Sequence, residues 1–205
     1  MLIPIFGCLL FVAIYIIAAL LYPGGSETDR TAVGFSLKNN YWCNLLHENA
    51  INGQPNTAKP LAIIGMFILC LALSTFWVVF PKQVFAGKYL QLTIQITGAG
   101  AMVSSFLLLT NIDHDLVVNF ASSLGFIATI GTLICLYKTK WYGLFAFGLF
   151  NILLVGLNNY LYNTKGMMIY LPAVQKISFL SFLVWICFIN LNLYRRPVPV
   201  FPKDH

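Results

Sequence analysis

Three neighbouring residues, Asp113, His114 and Asp115, form the group in this sequence best suited to acid–base chemistry. A carboxylate beside a histidine can orient the imidazole, fix its tautomer and raise its basicity. Such a group could act as a general base, a proton relay or a metal ligand. We assign His114 as the candidate catalytic base, oriented by Asp113 or Asp115.

Two other interpretations of this group stay open. His47 and Glu48 could join it to give enough imidazoles and carboxylates for a divalent ion. However, adjacent helical residues point in different directions, and the spacing lacks the regularity of established metal motifs, so no metal site is predicted. The structural alternative is a solvated helix start capped by an aspartate, where the helix dipole favours negative charge. No cofactor is indicated.

Six apolar stretches must position these residues. A helix needs ~20 apolar residues to cross the ~30 Å hydrocarbon core, and lipid cannot satisfy exposed backbone groups, so each stretch should be a complete helix. We predict an all-α integral membrane protein, a six-transmembrane-helix bundle with a structured first extracytoplasmic loop, in one domain of residues 1–205. The predicted spans are 2–22, 60–80, 89–110, 116–137, 142–162 and 171–194, and the outer loop is 23–59.

The composition agrees with a membrane domain. Of 205 residues, 59% are hydrophobic and 9% are charged, whereas an ordinary soluble domain has about 25% charged residues. A water-soluble fold would therefore expose large apolar patches. Four of the five cysteines lie within the stretches and only Cys43 lies in a loop, so no disulfide framework is predicted.

The basic residues indicate an orientation. The net charge of +6 is not gathered in a dense basic block, so nucleic acid is not a predicted partner. Seven lysines and arginines flank one side of the six predicted spans and five flank the other. By the positive-inside rule, the N- and C-termini are cytoplasmic and the first, third and fifth loops face outward.

Polar residues outside the Asp113–Asp115 group also collect on the predicted outer side. Asn119 and Asn158 fall in or near the apolar stretches, where polar groups normally face the bundle interior or a wet cavity. Hydrogen bonding between helices is the alternative role. The candidate headgroup-binding residues are His47, Asn56, Asn119 and Asn158.

Two further patterns concern packing. Gln91, Gln95, Gly98, Met102 and Ser105 share one face of the third stretch, which predicts contacts with other helices. Residues 39–52 are predicted to form a short helix, which lies in the membrane interface or folds over the bundle as a lid.

The first outer loop resembles a known family. Tyr22-Pro23-Gly24-Gly25-Ser26, the run Asn40-Tyr41-Trp42-Cys43-Asn44-Leu45-Leu46 and then Asn56 resemble the bacterial membrane family called domain of unknown function 998. The broader pattern is similar to the six-span Frag/DRAM/Sfk membrane proteins. Cys43 and Asn44 stand where that family has serine and aspartate, and Leu46 where it has glycine. The resemblance implies a six-helix bundle with an outward polar site for lipid headgroups, and His114 would correspond to a histidine that often opens a later helix there.

These observations favour a lipid-handling membrane protein. If the protein also catalyses a reaction, the expected reaction class is hydrolysis or acyl transfer at the outer leaflet. Its partners would be membrane lipids. The first alternative is a non-catalytic accessory or scaffold subunit, with a membrane-protein partner or a second copy of the chain. The second alternative is a small-solute transporter.

Overall fold

Six α-helices make up most of the described chain. The computed structural model describes residues 2–84, 86–109 and 114–195, and the side chains of all of these except 108, 109, 114 and 115. Within those residues there is no β-strand, so the prediction of an all-helical fold is confirmed. The helices are α1 (Ile3–Leu20), α2 (Lys59–Val79), α3 (Lys88–Ser105), α4 (His114–Lys138), α5 (Tyr142–Asn163) and α6 (Leu171–Arg195).

The helix ends lie close to the predicted boundaries. Pro4 and Pro60 stand in the first turns of α1 and α2, where a missing N–H costs nothing and the fixed φ angle suits a helix. α3 is shorter than expected, because its α-helical hydrogen bonding ends at Ser105 and the chain continues as a 3₁₀ helix over Phe106–Leu109.

Five helices in the described part of the chain are long and apolar enough to cross a membrane. They are α1, α4, α5, α2 with its 3₁₀ extension, and α6 with the turn before it. These five indicate a multi-pass membrane protein. α3 is not among them, because its 18 residues include Gln91, Thr93, Gln95 and Thr97.

The helices pack as a closed ring. Each helix contacts the next one along the chain, and α1 also contacts α6. Only residues 139–141 separate α4 from α5, a connection so short that the two helices run antiparallel. α3 and α4 are antiparallel as well, since Gly131 meets Ile94 whereas Gly100 meets Leu124.

Glycines allow close approach between neighbouring helices. A Cβ atom at Gly98 of α3 would lie 2.3 Å from the Trp77 ring of α2, and one at Gly131 of α4 would lie 2.5 Å from Ile94 of α3. Small residues at contacts of this kind are typical of membrane helices. The Gln95 amide on the same face of α3 donates to the Val78 carbonyl of α2 at 2.8 Å. The prediction that this face of α3 contacts another helix is therefore confirmed.

The connection between α1 and α2, residues 21–58, forms an ordered segment that we call the cap. Isolated antiparallel bridges join Gly24 to Val33 and Asn49 to Pro55. The predicted helix at 39–52 is wrong in extent, because only Trp42–Leu46 is helical, as a 3₁₀ helix. The aliphatic side chains of Leu45 and Leu46 are buried, so the cap packs against the bundle.

Replacing Gly98 by alanine should destabilise the bundle by about 1–3 kcal/mol, because the added methyl group meets the Trp77 ring. Unfolding in detergent with increasing dodecyl sulfate measures the change. Gly156→Ala in α5 is the matched control, since a Cβ there meets nothing within 4 Å. Equal losses in the two variants would contradict the close packing of α2 on α3.

Candidate functional site

One asparagine joins the 3₁₀ helix of the cap to the last residues of the cap. The Asn56 amide donates to the carbonyls of Asn44 (3.2 Å), Leu45 (3.1 Å) and His47 (2.9 Å). The Asn56 side-chain oxygen accepts from the Ala58 N–H at 3.1 Å. The 3₁₀ helix is thereby held against the start of α2.

A second asparagine organises the middle of the cap. Asn40 is completely buried. Its side-chain oxygen accepts from the Ser36 N–H at 2.8 Å, and its amide donates to the Gly25 carbonyl at 2.8 Å. Both polar groups of the side chain are satisfied within the cap, which leaves the Asn40 backbone carbonyl available to the bundle.

The Lys176 ammonium of α6 meets that carbonyl. It donates to the Asn40 carbonyl and, at 2.6 Å, to the Pro172 carbonyl one turn earlier. The Phe35 ring of the cap lies 5.9 Å from the nitrogen, within the range of a cation–π contact. Lys176 is 6% exposed, and lysines this buried are normally paired with an anion.

No carboxylate pairs with Lys176 in the part of the chain that the structure describes. The ion pair found there joins Lys59 to Glu48 on the cap surface. Lys176 is a functional candidate that the sequence analysis does not include among the site residues, because in the sequence it resembles an ordinary cation near the end of a span. Its position five residues inside the apolar α6 helix was the available signal, because ionisable residues within spans usually mark a site.

Aromatic rings pack together where the cap meets α1 and α6. The Trp42 ring lies 5.8 Å from Phe11, 5.6 Å from Tyr15 and 5.3 Å from Phe179, measured between ring centroids. All three contacts are edge-to-face, the arrangement that aromatic quadrupoles favour. Trp42 is thus the part of the cap that covers the seam where the ring of helices closes.

The residue after Trp42 brings a thiol into this junction. Burial raises the pKa of the Cys43 thiol to about 11; the Glu27 carboxylate also raises it, and the Lys176 ammonium lowers it. Burial, with Glu27, raises the pKa of Tyr41 to about 12. Both groups are protonated at neutral pH, and a protonated thiol is a weak nucleophile. The junction is better suited to binding than to covalent catalysis.

A polar contact also lies between α5 and α6. The Asn158 amide donates to the Ser178 hydroxyl at 2.6 Å and to the Leu154 carbonyl at 2.8 Å. The Asn158 side-chain oxygen is buried and has no hydrogen-bond partner among the described residues. Asn151, two turns earlier on the same face, repeats this pattern, with its amide on the Phe147 carbonyl at 3.0 Å.

Five buried polar atoms of the described chain lack a partner, and most lie near these contacts. Each would need a water molecule or a ligand to be satisfied. They are Tyr15 Oη, Asn44 Oδ1, Trp77 Nε1, Asn151 Oδ1 and Asn158 Oδ1.

The structure distributes the predicted headgroup-binding residues over three regions. His47 is exposed at the end of the 3₁₀ helix, where its carbonyl accepts from Asn56. Asn119 is exposed on α4, and its carbonyl accepts from the Ser123 hydroxyl at 2.8 Å. Asn158 lies half-buried between α5 and α6. The structure therefore brings His47 and Asn56 together in the cap and leaves the other two on separate helices.

The predicted catalytic group falls outside the described structure. Asp113 is not described, and His114 and Asp115 are described only as the first backbone residues of α4. Within the described ranges, no group of three His, Cys, Asp or Glu side chains is arranged to hold a metal ion.

Comparisons with known proteins identify no relative. No protein-family profile, no curated protein and no solved structure matches the chain. The resemblance of the cap to the family called domain of unknown function 998 remains a prediction.

Replacing Asn56 by alanine should loosen the cap, because the carbonyls of Asn44, Leu45 and His47 lose their donor. We expect the closed cap to lose about 1–3 kcal/mol of stability. Transient opening should then increase roughly five- to hundredfold, as should alkylation of Cys43, measured by peptide mass spectrometry. Asn49→Ala is the control, since Asn49 is exposed on the same cap. Unchanged alkylation in Asn56→Ala would mean that the aromatic contacts hold the cap without Asn56.

Proposed function

We propose that this chain is a lipid-handling integral membrane protein that binds a lipid headgroup beside the cap. The observation that carries the proposal is the buried Asn158 side-chain oxygen, which has no partner among the described residues. The Asn158 amide is already used by Leu154 and Ser178. No N–H is free in the middle of a helix, so the missing donor must come from outside α5. A headgroup hydroxyl or amine would supply it.

The surroundings of Asn158 suit acyl chains. α5 is the least buried of the five apolar helices, and Leu153, Val155 and Leu157 are exposed on it. Tyr160 is exposed toward the cap end of the same helix, and tyrosines are enriched at the level of the headgroups. A lipid lying along α5 would thus have its headgroup near Asn158 and its tails on an apolar surface.

The proposal includes six spans, with α3 as the sixth. α3 packs against α2 and α4 as part of the ring, although it is less apolar than the other helices. Its 18 residues would cover about 27 Å at 1.5 Å per residue, close to the thickness of the hydrocarbon core. The side-chain amides of Gln91 and Gln95 donate to backbone carbonyls. These hydrogen bonds lower the free energy needed to place the two side chains in lipid.

The proposal also includes cytoplasmic termini and an outward-facing cap. Exposed lysines gather at the end of the ring opposite the cap, at Lys82, Lys88, Lys138 and Lys140. Cytoplasmic loops carry an excess of basic residues, so this end is assigned to the cytoplasm. If the bound lipid reacts, His114 with Asp113 or Asp115 remains the proposed catalytic base.

A scaffold role is the second candidate. It is favoured by Asn40 and Asn56, because the side chains of both residues form hydrogen bonds to other cap residues and not to a site facing outward. Transport has less support, because the Gln91 and Gln95 amides, which a path along α3 would need, are bonded to backbone.

Asn158→Leu should reduce the lipid that stays bound during purification by about tenfold, because a polar contact to the headgroup is lost. Native mass spectrometry of the detergent-solubilised protein measures the bound lipid. Asn159→Leu is the matched control, since the neighbouring Asn159 is exposed and its amide donates to the Val155 carbonyl of its own helix. Equal lipid retention in the two variants, with intact folding, would favour the scaffold role.

The orientation predicts which loops react with a membrane-impermeant maleimide in whole cells. In a Cys43→Ser background, Asn49→Cys on the cap should label, whereas Gln83→Cys between α2 and α3 should label only after the membrane is permeabilised. Both positions are exposed. The reverse pattern would contradict an outward-facing cap.

A further inference from the structure

The strongest unassigned feature is the buried ammonium of Lys176. Its two bonds are to the neutral carbonyls of Asn40 and Pro172, and it has no carboxylate partner in the described part of the chain. An ammonium has three donors, so one remains for a further acceptor. Burying a charge away from water is costly unless a counter-charge compensates it.

A second observation points to a ligand at the same place. The Tyr15 hydroxyl, in a residue only 2% exposed, has no partner among the described residues. Tyr15 contacts the Trp42 ring, and Trp42 also contacts Phe179, three residues after Lys176 on α6. The Lys176 ammonium donates to the Asn40 carbonyl, two residues before Trp42. The Lys176 ammonium and the Tyr15 ring thus both contact the short cap segment 40–42.

The contact between α5 and α6 lies at the same end of the bundle. Ser178 follows Lys176 by two residues on α6 and receives the Asn158 amide. Residues two apart on a helix do not face each other, so the two side chains leave α6 on different faces, but both lie in its first two turns, at the cap end. One glycerophospholipid headgroup has both complements: a phosphate for the cation, and a hydroxyl or amine for the Asn158 oxygen.

We propose that Lys176, with the Tyr15 hydroxyl, binds the phosphate of a glycerophospholipid headgroup beneath the cap. This inference rests on the proposed lipid function and narrows its ligand to phosphate-bearing lipids. Lysine is a common phosphate ligand because its ammonium acts as a point charge that does not demand a fixed geometry. The cap encloses the headgroup, and its Asn40 carbonyl holds the ammonium in place.

The test compares lipids with and without phosphate on the full-length protein in nanodiscs or a neutral detergent. The wild type should retain phosphatidylglycerol at least tenfold better than diacylglycerol, measured by native mass spectrometry. Lys176→Met should lose about tenfold or more of the phosphatidylglycerol affinity, as expected for loss of a charge-assisted bond. Lys38→Met is the matched control, because Lys38 is an exposed cap lysine, and it should leave affinity unchanged.

A second variant distinguishes the loss of the Lys176 charge from a change in the position of the cap. Asn40→Ala removes the side-chain bonds that hold the cap while Lys176 stays intact. Cys43 alkylation reports the cap position in every variant. If Asn40→Ala loosens the cap yet retains phosphatidylglycerol, the loss in Lys176→Met reports charge. If the two variants lose binding equally, Lys176 only fixes the cap and the proposal is overturned.

The remaining outcomes are also decisive. Stabilisation of the wild type by inorganic phosphate at the same concentration as short-chain phosphatidylglycerol would assign the site to a free anion and overturn the lipid assignment. No preference for phosphatidylglycerol over diacylglycerol would overturn the inference but leave lipid handling intact, provided that Asn158→Leu still reduces lipid retention. Unchanged lipid binding in both Lys176→Met and Asn158→Leu would overturn the phosphate assignment and the proposed lipid function together.

Discussion

Polar groups that enter an apolar bundle must find a hydrogen-bond partner, and this constraint shapes the whole structure. Most hydroxyl and amide side chains within the helices donate to the carbonyl four residues earlier, as Thr132 does to Ala128 at 2.9 Å. Asn190 does the same to Ile186 at 2.8 Å. Such bonds satisfy donors without any contact between helices. Polar residues in these spans therefore do not by themselves mark a site.

The same constraint identifies where a site can lie. An asparagine that donates to its own helix keeps an acceptor that the helix cannot satisfy, because interior N–H groups are already used. Asn151 and Asn158 are in this state on α5. Lys176 presents the opposite problem, a buried cation bonded to neutral carbonyls. Among the described residues, Asn158 lacks a donor and Lys176 lacks an anion, and a phospholipid headgroup can carry both groups.

The cap is held by hydrogen bonds of its own and by contacts to the bundle. Within the cap, the Tyr22 hydroxyl accepts from the Ile51 N–H at 3.0 Å, and Thr57 donates to the Leu21 carbonyl at 2.6 Å. Trp42 contacts α1 and α6, the Asn40 carbonyl accepts from Lys176 of α6, and the 3₁₀ helix contacts α2. A headgroup beneath the cap would thus be enclosed by a segment that α1, α2 and α6 hold jointly.

The amino-acid sequence by itself determined the helices and their approximate ends, because long apolar runs in lipid have no alternative to helical hydrogen bonding. It also indicated that the first connection is ordered, and that Gln95 and Gly98 face another helix. It did not reveal the role of Asn56, whose amide acts entirely within the cap, or of Lys176, which looks like an ordinary flanking cation. Only the tertiary structure decided those roles, since partners such as Asn40 and Lys176 are 136 residues apart in the chain. Whether a side chain is buried or lacks a hydrogen-bond partner depends on how the helices and the cap pack together. The periodicity of residues along one helix does not determine either property.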